Sequence, residues 1–118
     1  MSISDHYSVF DHFTGKDSTV LAIYQRLLAE TRKFEPVVEL PKKTSIHLVN
    51  KSTFAIVVTH KMALILNMKL ASPVKDTRII HFELVPLNRF HQEVKLTLLE
   101  DIDSILLGLL KTAYEMSG

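Results

Sequence analysis

The apolar positions fall into two regimes, one helical and one extended. Near the start, Tyr7 and Phe10 recur three apart behind Ser4, and Thr14-Gly15 supplies a glycine stop, so a short amphipathic helix is expected. Val20, Leu21, Ile23, Tyr24, Leu27, Leu28 and Phe34 then form a helical stripe behind Asp17-Ser18, opposite Gln25, Arg26, Glu30 and Arg32. Pro36 ends that longer helix. From Val37 the period drops to two, and strands are expected over 37–40, 44–50, 53–59, 63–70, 78–85 and 93–98. Pro41 confines the first of these to an edge or a bend. Asn50-Lys51-Ser52 is a hairpin turn, Lys61 lies in the next turn, and residues 86–89 form another. The chain closes with a helix. Glu100, Asp101 and Asp103 crowd its first turn, where the helix dipole favours carboxylates, and Ile102, Ile105, Leu106, Leu109, Leu110 and Ala113 make its stripe.

Strands joined by short turns, with helices only at the two ends, define an α+β fold. The expectation is an antiparallel sheet of about five or six strands, packed on one face by two N-terminal helices and one C-terminal helix. With 118 residues and no linker or repeat, the chain is expected to be a single domain over 1–118. Ile46, Leu48, Phe54, Ile56, Val58, Leu64, Leu66, Phe82, Leu84, Leu96 and Leu98 are expected to face the helices. The opposite face then carries His47, Val49, Val57, Ile65, Lys69, His81, Glu83 and Lys95, an apolar centre with a basic and imidazole rim.

Composition removes whole classes of chemistry. There is no cysteine, so disulfides, thiolate metal sites, cysteine nucleophiles and thiol redox steps are excluded. Gly15, Gly108 and Gly118 are isolated, which removes the glycine-rich phosphate loops and leaves no cofactor implied. No two histidines stand at helical i, i+4 spacing and carboxylates are scarce in the strand segment, so a histidine metal cluster is not expected, and Ser45 beside His47 lacks the orienting acid and oxyanion hole of a nucleophile. The start has neither a basic segment nor an apolar run of signal type, and no apolar run approaches the roughly 18 residues of a membrane span. A cytoplasmic location without membrane contact is therefore expected.

The formal charge of +1 hides a segregation. Residues 1–41 hold four basic and six acidic side chains, residues 42–95 hold nine and three, and residues 96–118 hold one and four. The strand-forming segment is thus strongly basic, and it also contains His47, His60, His81 and His91. Such a face either engages an anionic partner or serves solubility and discourages edge pairing.

Several strings occur together in a recognisable order. Asp11-His12-Phe13-Thr14-Gly15-Lys16, Lys42-Lys43-Thr44-Ser45-Ile46-His47-Leu48 and Phe54-Ala55 lead. Thr77-Arg78-Ile79, Leu87-Asn88-Arg89-Phe90-His91-Gln92-Glu93-Val94-Lys95-Leu96, Asp101-Ile102-Asp103 and Lys111-Thr112-Ala113-Tyr114 follow. The chain resembles, over nearly its whole length, an uncharacterised bacterial family labelled a domain of unknown function and sometimes a predicted transport protein. The resemblance implies a small α+β module with no assigned reaction. Lys43, His47, Arg78, Arg89 and His91 fall on the polar positions of that pattern, while Gln92 stands where a second histidine is common.

The leading expectation is a non-enzymatic binding or interaction module. Its basic, His-containing sheet face would take a small anion or a protein partner through Lys43, His47, Arg78, Arg89 and His91. A nucleic-acid-associated accessory domain is the alternative, although exposed aromatics for base stacking are sparse. An enzyme acting on a small anionic substrate through His47 and His91 ranks third. A homodimer is expected to cover Val49, Val57 and Ile65.

Overall fold

The computed structural model describes residues 7–34, 36–70, 79–85 and 89–117, with the backbone alone described for 79–85, 89 and 90. Six strands form one antiparallel sheet: β1 (Val38–Pro41), β2 (Ile46–Val49), β3 (Thr53–Thr59), β4 (Leu64–Leu70), β5 (Ile79–Val85) and β6 (Arg89–Leu96). Helices α1 (Ser18–Thr31) and α2 (Ser104–Met116) pack on one face, α2 chiefly over β3 and β4. The α+β expectation holds, and Pro41 lies on an edge strand as its missing N–H requires.

The strand order is β1-β2-β3-β4-β6-β5, so β6 sits between β4 and β5. Every neighbouring pair is antiparallel. Insertion of β6 brings its outward residues beside those of β4: Lys69 pairs with His91, Asn67 with Glu93 and Ile65 with Lys95.

Both helices begin on an aspartate. Asp17 accepts from the Thr19 N–H at 3.0 Å, and Asp103 accepts from the Leu106 N–H at 2.9 Å, each satisfying a donor that the first turn leaves unpaired. Val20, Ile23, Tyr24 and Leu27 of α1 meet Leu106, Leu110, Ala113 and Tyr114 of α2 in one core with the inner sheet face. Phe54 closes that core, stacking edge-on against Tyr114 with ring centroids 5.1 Å apart.

Four expectations need correction. Among the described residues the first element is a 3-10 turn over Phe10–Phe13, and one N-terminal α-helix, α1, is present where two were expected. The span of the turn is too short to hold a helix without burial. Phe10 stays 70% exposed, and Ser8 rather than Ser4, which lies outside the described residues, bonds back to Asp11. The C-terminal helix starts at Ser104. Asp101 instead sits in a 3-10 turn over Leu99–Asp101, where its Oδ2 accepts from the Thr97 and Leu98 N–H groups. This turn carries Leu98 away from the sheet, leaving it 54% exposed rather than inward. The last strand begins at Arg89, not Glu93, which places His91 inside a strand.

The fourth correction concerns β3. Ladder pairing jumps from Leu48–Ala55 to Val49–Thr53, so Phe54 is an extra residue with no partner on β2. A bulge of this kind re-aims the side chains that follow it. Phe54 and Ala55 are both buried, Val57 is fully buried, and Ile56 and Val58 are half-buried on the outer face. Strict alternation from Phe54 therefore assigned Ile56, Val57 and Val58 to the wrong faces. The outer apolar strip is Val49, Ile56, Val58 and Ile65, all half-buried. Phe82 and Leu84 fall where side chains are not described, with Phe82 opposite Gln92 in the ladder.

Candidate functional site: a histidine and lysine cleft on the open sheet face

The outer face is set by what the inner face buries. Ile46 and Leu48 are fully buried, so the residue between them, His47, points away from the core. Met68 and Leu70 do the same for Lys69, and Gln92, fully buried, does it for His91. His47 continues across the sheet through Ile56, Asn67 and Glu93, while His91 lies one pleat along, opposite Lys69.

These side chains line one cleft of about 180 Å³, with His47 and Thr53 at one wall, His91 at the other, and Ile56, Asn67 and Lys69 between them. Three strand spacings, about 14 Å, separate β2 from β6. The cleft between the two imidazoles has room for a small group. His47 Nδ1 lies 3.3 Å from Thr53 Oγ1, which orients the ring. Burial, and secondarily the nearby Lys42 charge, pull the His47 imidazole below its ordinary pKa. Lys69 is exposed and forms no ion pair among the described residues. The cleft thus brings one exposed lysine together with two imidazoles.

The five residues singled out in the sequence are distributed unevenly. His47 and His91 line the same cleft. Lys43 does not: it lies exposed in the β1–β2 turn, closed by the Lys42 N–H to Ser45 C=O bond, at the far end of β2. Arg89 opens β6 opposite Val85, with no description of its side chain, and Arg78 lies outside the described residues. Lys69, Thr53 and Asn67 were missed as site residues. Lys69 was readable as an outward residue of β4, but nothing in the sequence placed it opposite His91, because β6 is not the next strand.

Gln92 explains a feature of the family pattern. Adjacent strand residues face opposite ways, so position 92 points into the core while His91 points to the cleft. A histidine there would not have joined His91. Among the described residues, no three His, Asp or Glu side chains gather to hold a metal ion.

The fold and cleft define a small α+β protein whose antiparallel sheet, among the described residues, is covered by helices on one face and not on the other. Residues 9–117 match the family described as a domain of unknown function (DUF5655), and the chain belongs to that family. No curated protein and no solved structure matches it. Among the described residues no helix is long and apolar enough to cross a membrane.

Proposed function

We propose that this chain is a binding module whose open sheet face takes a small anion, or the anionic side chain of a protein partner, in the cleft between His47 and His91. The observation that carries this reading is the meeting of His47, Lys69 and His91 around one cleft, although they come from strands far apart in sequence. A cleft of about 180 Å³ is smaller than the roughly 300–1,000 Å³ that holds a drug-sized molecule, so the group bound is a compact one. Lys69 supplies charge, while Thr53 and Asn67 supply neutral polar groups. The nucleic-acid alternative is less well supported. Among the described outer-face residues there is no Phe or Tyr on which a base would stack.

The test is a phosphate titration followed by NMR of the histidine rings. Saturable shifts at His47 and His91, lost or weakened at least fivefold in Lys69→Ala, are expected. Unchanged affinity in that exposed-site variant would remove the reading.

The same face bears on assembly. Its apolar strip is half-buried, and Lys69 and Lys95 are both exposed beside it with, among the described residues, only Glu93 between them, so a two-fold contact here would bring together more positive than negative charge. The partner proposed for this face is therefore one that brings negative charge, in place of the homodimer expected from sequence. Light scattering at micromolar concentration should return a monomer. A dimer that Ile65→Asp dissociates would overturn this.

A further inference from the structure

A second cleft opens at the other end of the outer face, and its chemistry differs from the first. It measures about 580 Å³, within the range of small-molecule sites. Ala63 and Ile65 form its floor, and Met62, 63% exposed, stands against it as an apolar wall. Lys61, Lys95, His60 and Thr97 provide the polar part. Ile65 and Lys95 are direct partners across β4 and β6, so an apolar group and a cation sit side by side.

The cleft is built on a fixed turn. The His60 N–H donates to the Ala63 C=O at 2.8 Å, and the Lys61 C=O accepts from the Asp17 N–H at 2.8 Å, which ties the turn to the start of α1. Thr59 Oγ1 adds a bond to the His12 C=O at 2.5 Å. Among the described residues, Lys61 and Lys95 are exposed and form no ion pair, and no acidic side chain lines the cleft. An exposed thioether beside a half-buried isoleucine is a surface that gains from apolar cover, since methionine adapts to varied shapes.

We propose that this cleft binds a monomeric amphipathic anion, a carboxylate or similar headgroup on a compact apolar body. Lys61 and Lys95 hold the headgroup, and Met62, Ala63 and Ile65 cover the body. Inorganic anions suit the first cleft, which is smaller and sets Lys69 between two imidazoles, but they leave the Met62 surface bare. The two sites therefore stand or fall separately.

The test is a titration of the full chain with octanoate at sub-micellar concentration, read from the methyl signals of Met62 and Ile65. Saturable shifts at both are expected, with binding weakened at least tenfold for 1-octanol, which lacks the charge, and for acetate, which lacks the tail. The Lys61→Ala/Lys95→Ala double variant should weaken octanoate at least tenfold and leave phosphate shifts at His47 unchanged; both lysines are exposed, so folding is unaffected. Any of four results overturns the proposal: no saturable shift, equal binding of 1-octanol, an unaffected double variant, or octanoate shifts confined to His47 and His91. Recruitment to phosphatidylglycerol vesicles without octanoate binding also overturns it, since the occupant would then be a lipid surface.

Discussion

The Tyr24 hydroxyl donates to Glu39 Oε2 at 2.6 Å, joining the buried face of α1 to the edge strand β1. Arg32 Nη2 meets the other carboxylate oxygen at 3.3 Å, so Glu39 is held between a phenol and a guanidinium. Burial pushes the Tyr24 phenol well above its ordinary pKa, and the Glu39 bond and charge push it further. The short strand β1 is otherwise bound only through its ladder with β2 among the described residues. This contact joins the Tyr114 hydroxyl bond to the Pro36 C=O and the burial of Val37 in tying the edge of the sheet to the helical layer.

Tyr24→Phe should therefore cost about 1–3 kcal/mol in a denaturant melt, because it leaves a charged acceptor without its donor. It should also change the alkaline limb of stability. A phenol with a raised folded pKa contributes stability that is complete below an unfolded pKa of about 10 and lost as pH rises beyond it. Removal of that phenol should flatten the fall, which unfolding curves between neutral and alkaline pH would read. An equal alkaline fall in the variant would show that Tyr24 is not its source.

The bulge at Phe54 makes a contrast between neighbours. Phe54→Ala removes a buried ring stacked on Tyr114 and should cost about 3–5 kcal/mol. Ile56→Ala removes a half-buried side chain from the outer face and should fall below the roughly 2–5 kcal/mol of a core isoleucine. Leu66→Ala, fully buried on the inner face, supplies the reference within that range. Equal losses for Ile56 and Leu66 would contradict the rephasing of β3.

Asp103 carries the start of α2. Asp103→Ala should lower stability by about 0.5–2 kcal/mol, and Asp103→Asn should recover most of it, since an amide oxygen accepts the same Leu106 N–H bond. A thermal melt of the three proteins side by side measures this. No recovery by asparagine would mean that the carboxylate acts through its charge.

His47 gives a pH signature. Its folded pKa lies below the ordinary histidine value of about 6.5, so the neutral ring is the favoured native form. The stability it contributes is present above that unfolded value and is lost as pH falls through the folded pKa. Ring-proton NMR should show the depressed titration directly. Saturating phosphate should raise it, because an anion in the cleft favours the imidazolium. A titration unmoved by phosphate would speak against His47 as part of the proposed site.

The chain's own pattern determined the two long helices, the six strands and the inner faces of β2, β4 and β6. Ile46, Leu48, Leu64 and Leu66 alternate so regularly that burying them sends His47, Ile65 and Asn67 outward, whatever the strand order. Asp17 and Pro41 likewise act locally and were legible without neighbours. Three matters were decided by tertiary structure. The bulge at Phe54 accompanies packing of that ring on Tyr114, sixty residues later in the chain, and periodicity carries no mark of either. Phe10, 70% exposed, has no surface to cover it, and its segment forms a 3-10 turn and not the expected α-helix. The meeting of Lys69 with His91 required β6 to enter between β4 and β5, and strand order depends on long-range pairing that a local pattern does not encode. Residue chemistry was therefore present in the sequence, but its convergence into a cleft belongs to the sheet.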